Sequence, residues 1–585
     1  MAVSDYLALI VMAIAAWSQY RCYFLQEELS RCSEKEELGN KVVSQSEIQE
    51  HLDDGEEDPQ IVDRRLLAGG SSVWCSGSNN TDRMCQFHNL CFSQKHKEFV
   101  FLSGSKSIAF GLPENPFDPA LVDLSSVPNH NTQYFGFSHL PVAALEDTNT
   151  VAVFRGKHLL MNRFNPSNIM HVFHDDLLPL FYTMLQSGLM AKGDFKPTAR
   201  LVFLDGYPAG EFMDLYASLF NYRPILRDEI TSDSDSADQD SLVCFEEAFV
   251  GLSNVTTWYQ YGFQVPQGPV PNTLLTAREV RVFTSFVRNQ MGARRCEASD
   301  DYIVLIKRES TRLILNEMDL VTLVAQGTGL RVLTAGLEDY PIKDLIELVS
   351  CSKVLIGMHG SLLILSMFLP VGSMLLELFP YAINPDYYTP YKTLVQLPGM
   401  GVAYRSWRNW SPDRSVGHPD ALPAHGGIRH LSRQEQKQIL TSQEVPQHLC
   451  CSNPDWLYRI YQDTAVDIPS ILNLLSEGLQ ECQQSRTEIA PHFPVFPSKV
   501  GGIHCDRVKG LRVSWQRPWN IEYMNTNEVR YELWTQETDG DDYKAYILQL
   551  EGYTFSEGYE DSKSYRVWVR CLVGSIKGPF SSVVC

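Results

Sequence analysis

The stretch Asn162-Arg163-Phe164-Asn165-Pro166-Ser167-Asn168-Ile169-Met170-His171-Val172-Phe173-His174-Asp175-Asp176-Leu177-Leu178-Pro179 sets ionisable residues on what otherwise reads as a buried helix. Met170, Phe173, Leu177, Phe181 and Met184 recur at spacings of three and four, the period of an amphipathic helix. Ser167 or Asn168 is placed to cap its first amides, and Pro179 is expected to kink or end it. His171, His174 and Asp175 fall on one flank beside the apolar stripe. Burying such groups is costly unless they are paired, so His171, His174, Asp175 and Asp176 are candidate acid–base residues. A metal site and an internally satisfied polar network are the competing readings of the same cluster.

Outward from this helix, apolar runs follow at Ala199–Asp205, Tyr302–Ile306, Lys353–Gly357 and Ser373–Leu378. Continuous apolar strands alternating with helical segments indicate an α/β architecture with parallel sheets covered on both faces. A linker-like Gln267-Gly268-Pro269-Val270-Pro271 divides them into two Rossmann-like domains, drawn at 72–285 and 286–490. In the second, Ile356-Gly357-Met358-His359-Gly360-Ser361 reads as a strand, a Gly-rich turn and a helix start. Free amides at such a turn suit a diphosphate, with His359, Gly360 and Ser361 against it and Glu377 at the next strand for ribose hydroxyls. Lys307, Arg308 and Arg312 add cations beside it. A tight structural turn and an ordinary basic loop are the plain alternatives. Residues 495–585 alternate with a period of two around Trp515, Tyr531, Trp534, Tyr565 and Trp568, the pattern of an all-β sandwich similar to a fibronectin type III module.

The chain has 585 residues, 44% of them hydrophobic, enough for several cores, and a net charge of −21 that argues against nucleic acid as a partner. The Asp-x-Asp matches at Asp233/Asp235 and Asp238/Asp240 lie in a low-complexity acidic loop and are discounted as a metal motif. An apolar run from Tyr6 to Trp17 is read as a signal-anchor within 1–25, with a cleaved signal peptide as its competitor. A charged stem is expected over 26–71. Fourteen cysteines and glycosylation acceptors at Asn79, Asn254 and Asn409 point to the secretory lumen, with disulfides preferred over zinc for Cys75, Cys85 and Cys91 and the pairing left open.

Asn162-Arg163-Phe164, Met170-His171-Val172-Phe173-His174-Asp175-Asp176, Arg308 with Arg312-Leu313-Ile314-Leu315-Asn316-Glu317, and Met358-His359-Gly360-Ser361 resemble the pattern of glycosyltransferase family 61. Trp258–Phe263, Glu377–Ala382 and Asn384–Lys392 sharpen the likeness to members that act on O-linked mannose. The resemblance covers nearly all the chain beyond the stem. It implies an inverting GT-B enzyme that moves N-acetylglucosamine from UDP-GlcNAc to O-mannose on α-dystroglycan, as a single-pass type II protein of the endoplasmic reticulum membrane. It further implies that Asn162 and Arg163 position substrate and that the C-terminal module helps hold the acceptor, across a homodimer. Ser361 departs from the Ala that many relatives carry. Asp175, then His174, then Asp176 rank as the base, and no metal or other cofactor is expected. An enzyme that modifies epidermal-growth-factor domains and a non-catalytic luminal glycan-binding scaffold stay open as alternatives.

Overall fold

The structure, a computed structural model, describes residues 59–484 and 497–585, apart from positions 116, 128–132, 191–194, 232–239, 263–265, 272, 274 and 294–301 and a few isolated ones between 508 and 575. The expected anchor, most of the stem and the acidic Ser/Asp loop lie outside the described residues. Among the described residues no helix is long and apolar enough to cross a membrane. The stem was expected to reach residue 71, but Gln60–Ile61 pairs with a core strand and Leu67 is buried, so residues 60–71 already belong to the fold.

Strands β1 (Ser72–Ser76), β2 (Met84–Ser93), β3 (Thr150–Met161), β4 (Ala199–Phe203), β5 (Ile225–Leu226) and β6 (Ser241–Val250) are the main members of the first sheet. Its parallel core runs β5-β4-β3-β6, the order of a doubly wound sheet whose direction of winding reverses between β3 and β6. An antiparallel extension, β6-β2-β1, makes it a mixed sheet where a simple Rossmann-like one was expected. Disulfides fasten that extension: Cys75–Cys85 and Cys91–Cys244 each join residues that are directly opposite in register.

The second sheet is wholly parallel. It comprises β7 (Tyr302–Ile306), β8 (Arg331–Ala335), β9 (Val354–Met358), β10 (Ser373–Phe379) and β11 (Val402–Arg408), in the order β8-β7-β9-β10-β11. All residues of β7, β9 and β10 are buried, which is why they read as unbroken apolar runs. The winding reverses between β7 and β9, and ligands of such sheets bind beyond the carboxyl ends of the strands at that point. Arg308 and His359 follow those two strands.

One hydrophobic core runs from Leu159 in the first sheet to Tyr404 in the second. The boundary expected between residues 285 and 286 therefore falls inside a single helix, Ala277–Gln290. Its Phe283 and Phe286 pack on Phe181, with ring centroids 5.7 and 4.7 Å away, while Arg281 donates to the carbonyls of Leu369 and Met400. A helix amphipathic on two sides cannot be assigned to either domain by periodicity alone.

The C-terminal module consists of two antiparallel sheets. Gly501–Asp506, Arg512–Gln516 and Gly552–Thr554 form one; Val529–Glu537, Tyr543–Leu548, Tyr565–Val573, Ile576–Lys577 and Ser581–Val584 form the other. Trp515, Tyr531 and Val569 are buried between them, and Cys505 is bonded to Cys585. The module docks on the first domain through a buried cluster of Trp74, Ile108, Trp568 and Phe580. Arg566 and Tyr543 add hydrogen bonds to the carbonyls of Lys106 (3.1 Å) and Ser107 (3.3 Å).

Candidate active site

The loop after β3 leads into the helix that carries the His/Asp cluster. Asn168 caps it, its side chain accepting the Met170 amide at 3.0 Å. The helix is α-helical over Ile169–His171, π-helical over Val172–Leu177 and α-helical again over Leu178–Gln186, so it runs through Pro179 where a break was expected. A proline inside an α-helix strands the carbonyl four residues back and collides with it. Here that carbonyl belongs to Asp175; it accepts the Ser126 hydroxyl at 2.6 Å, and the wider π turn gives the ring room.

The π turn gathers the cluster. His171 Nδ1 lies 2.7 Å from Asp175 Oδ2, and His174 Nδ1 bonds Asp175 Oδ1. A carboxylate only accepts, so both imidazoles present their Nδ1–H to it. Tyr261 donates its hydroxyl to Asp175 Oδ1 at 2.9 Å, and the Trp258 amide reaches His174 Nε2 at 3.4 Å. Burial would raise the Asp175 carboxyl, yet the imidazoles of His171 and His174 hold it below the usual carboxylate range. His174 and Asp175 have side chains wholly shielded from solvent, whereas the His171 side chain is 14% exposed. Asp176 points elsewhere: it accepts the Tyr216 hydroxyl at 2.6 Å, and burial keeps its carboxyl well above the normal range.

Arg163 and Asn162 flank this helix differently from what substrate positioning requires. Arg163 is completely buried, paired with Asp205 through two bonds of 2.9 and 3.0 Å and donating to the carbonyls of Tyr207, Pro208 and Ala209. It ties down the loop after β4, with no donor left facing a cleft. Asn162 is buried, and its side-chain oxygen has no hydrogen-bond partner among the described residues.

Beyond the second sheet the balance of charge is reversed. Arg308 and Arg312 converge on Gly360: a Cβ there would meet Arg312 Nη1 at 2.8 Å and Arg308 Nη1 at 2.9 Å. Among the described residues neither guanidinium forms a salt bridge, and the one carboxylate that acts on Arg308 from a distance is that of Glu338. Burial lowers the Arg308 guanidinium, and burial with the adjacent Arg308 charge lowers that of Arg312 to about 10. Arg312 adopts a left-handed backbone (φ 59°), a conformation a non-glycine residue keeps only when its surroundings impose it. Its Nη1 donates to the His359 carbonyl at 3.1 Å and its guanidinium lies 5.0 Å from the centre of the Tyr461 ring. The two arginines line a half-open cleft of about 620 Å³ with His418, Asp420, His425 and Tyr461, Asp420 being paired with Arg429. Two half-buried cations side by side without a salt bridge suit an anion. The segment after Gly360, Ser361–Phe368, coils as a 3₁₀ helix, so the arginines supply the positive field expected from an α-helix start.

His359 Nδ1 sits 2.6 Å from Glu377 Oε1, and Tyr404 donates to Glu377 Oε2 at 2.8 Å. Glu377 is fully buried with both oxygens engaged, so it orients His359 instead of reaching a ribose. Ser361 stands at the mouth of the same turn, partly exposed. Two segments join the halves: Trp258 Nε1 donates to the Pro390 carbonyl at 3.0 Å, and the Thr389 amide donates to the Tyr259 hydroxyl at 3.1 Å. Between them Tyr391, its hydroxyl raised by burial, stands close enough to Arg308, Arg312 and Glu377 to sense their charges. Tyr261 and Tyr391, the latter in the short helix Pro390–Val395, thus join the site, although as tyrosines in aromatic-rich stretches neither carried a chemical signal by residue type.

A family model described as Glycosyltransferase 61 matches residues 121–376. Curated relatives match far more of the chain. Protein O-linked-mannose beta-1,4-N-acetylglucosaminyltransferase 2 of Homo sapiens is 44% identical over 529 residues, 89% of each chain, and that of Tetraodon nigroviridis 42% identical over 580 residues, 96% of this chain and 94% of its own. The chain belongs to the glycosyltransferase 61 family. The part matched by the family model holds the His/Asp helix, Arg308, Arg312 and Gly360, and ends just short of Glu377. Over 17% of the chain, a human fibronectin III domain overlaps at 17% identity and a TM-score of 0.13, covering 88% of that domain; the strand pairing described above, not this overlap, identifies the C-terminal β region as similar to such domains.

The described disulfides belong to an oxidising, secretory compartment. Of the acceptor asparagines, Asn79 is exposed and Asn254 partly so. Asn409 is 1% exposed, donates to Ser415 Oγ at 2.9 Å and accepts the Ser411 amide, so the fold leaves no room for the glycan expected there. Among the described residues no group of three His, Cys, Asp or Glu side chains is placed to hold a metal ion.

Proposed function

We propose that the chain is a UDP-GlcNAc-dependent β-1,4-N-acetylglucosaminyltransferase that acts on protein O-linked mannose, with α-dystroglycan as the acceptor protein. The observation that carries the reading is the pair Arg308 and Arg312, two half-buried cations with no salt-bridge partner among the described residues, meeting at Gly360 beyond the reversal point of a parallel sheet. A nucleoside diphosphate supplies the missing charge. The close likeness to the O-mannose transferases named above supports the choice of sugar and acceptor.

Inversion at the sugar needs one displacement, and the cluster on the other half of the molecule supplies the base. His171 Nε2 takes the proton of the mannose 4-hydroxyl as that oxygen bonds the anomeric carbon of N-acetylglucosamine. The bond from that carbon to phosphate breaks, and UDP leaves with the electron pair against Arg308 and Arg312. Asp175 accepts the Nδ1–H of His171, fixing the tautomer and stabilising the imidazolium, a role a carboxylate of low basicity performs better than proton abstraction. The ranking of Asp175 as base thus gives way to His171, the cluster member whose side chain reaches the solvent. The protein works in the endoplasmic reticulum, held by its N-terminal run as a type II membrane protein.

Transfer of labelled N-acetylglucosamine from UDP to an O-mannosyl peptide tests the function. No transfer or hydrolysis with any UDP-sugar would leave a glycan-binding scaffold as the answer.

A further inference from the structure

Away from the cleft, a shallow, half-open crevice lies where the C-terminal module meets the first domain. Its walls include Trp74 and Phe249 from the first domain and Phe580 from the module. Arg570, on the module side, is held by Glu532 at 2.7 Å and lies over the Phe580 ring, 4.4 Å from its centre. Two buried donors lining the crevice go unanswered among the described residues: Gln186 Nε2, on a residue 5% exposed, and Trp74 Nε1, on one 9% exposed. Leaving such groups dry and unpaired is costly, so the crevice is suited to an occupant with acceptor oxygens and a flat apolar face.

The chain carries such an occupant's attachment point on the rim. Asn254, in the sequon Asn254-Val255-Thr256, lines the crevice, is half-buried, and its side-chain amide has no hydrogen-bond partner among the described residues. The other two acceptors differ: Asn79 is exposed on a turn with its oxygen bonded to Thr81, and Asn409 is enclosed. We propose that the N-linked glycan of Asn254 seats its innermost N-acetylglucosamine units in this crevice and bridges the C-terminal module to the first domain. The covalent step is that of the secretory pathway: the amide nitrogen bonds the anomeric carbon of a lipid-linked oligosaccharide, the lipid diphosphate leaves and a proton is released. Pyranose carbon–hydrogen faces then meet the aromatic walls, and the acetamide and hydroxyl oxygens accept from Gln186 and Trp74.

The test uses full-length protein made in glycosylating cells. Glycopeptide mass spectrometry reads occupancy of Asn254. Hydrogen exchange then follows residues 249–253 and 576–580 before and after an endoglycosidase trims each glycan to one sugar, and again after an amidase removes it. Complete removal is expected to speed exchange in both segments by about tenfold or more, with trimming in between. Asn254→Gln should reproduce the effect and Asn79→Gln should not. An unoccupied Asn254, or exchange in both segments unmoved by complete removal, overturns the proposal. Because the enzymes act on folded protein, a failure of the Asn254→Gln variant to be secreted does not block the test.

Discussion

The two halves of the cleft solve opposite problems with buried charge. On the first domain, Asp175 sits among His171, His174 and Tyr261 with its negative charge answered three times over. On the second, Arg308 and Arg312 lie together with no salt-bridge partner among the described residues, only Glu338 acting on Arg308 from a distance. A satisfied cluster is pre-set for its task and needs nothing from a substrate to hold its shape. An unsatisfied pair stores repulsion that only a bound anion relieves. In the proposed reaction the first half would move a proton and the second would hold the leaving group.

The largest effect that would sharpen this contrast is in the first half. His171→Ala, and Asp175→Asn through loss of the tautomer it fixes, should each lower kcat by roughly 10²–10⁴ while UDP affinity stays put, because only proton transfer is removed. Steady-state kinetics beside calorimetric UDP titration decide it, and full activity in His171→Ala would pass the base elsewhere. In the second half the signature inverts: Arg308→Ala should weaken UDP binding by about 10- to 150-fold, the equivalent of about 1.5–3 kcal/mol for a charge-assisted bond. Its melting temperature should hold or rise, since a like-charge contact is relieved. A drop in stability with unchanged UDP affinity would mean that the pair is structural.

Gly360→Ala probes the same pocket by volume, driving a methyl group to within 3 Å of both guanidinium groups. We expect UDP affinity to fall by roughly tenfold as the forks are pushed apart. Chelation should do less. Since two arginines can neutralise the diphosphate, the transfer rate in EDTA should match the untreated rate; loss restored by manganese would defeat the metal-free mechanism. Smallest of all is Asp176→Asn. Burial favours the neutral form of that carboxyl, so replacing it with a neutral amide that still accepts from Tyr216 should leave kcat within about threefold. A collapse of activity there, in a folded variant, would reinstate Asp176 as a reacting group.

Much of this arrangement was legible before any coordinates. Strands such as Tyr302–Ile306 announce a parallel sheet because both faces are covered, and Asn168 announces a helix start because its side chain can replace a missing backbone partner. His171 and Asp175 were visible as a pair because a spacing of four is local geometry. What stayed hidden depends on residues distant in sequence. Ser126 rescues the carbonyl that Pro179 would strand, 53 positions away, so the proline reads as a stop when it is not. Glu377 reads as a ribose ligand until Tyr404 is seen to occupy its second oxygen. The left-handed backbone of Arg312 has no sequence signature, and an arginine such as Arg163 looks like a substrate contact until Asp205 is found beside it. Periodicity reports which face is buried, not which partner waits inside.

The hydrogen bonds from Trp258 to Pro390 and from Thr389 to Tyr259 make a bolt between the two domains. Together with a hydrophobic core that continues beneath both sheets, they leave the halves little freedom to swing like jaws. In the proposed reaction the sugar nucleotide would meet a site already framed by both domains. Less of the donor's binding energy is consumed in assembling the enzyme around it, and the pace of turnover falls to loop movement and product escape.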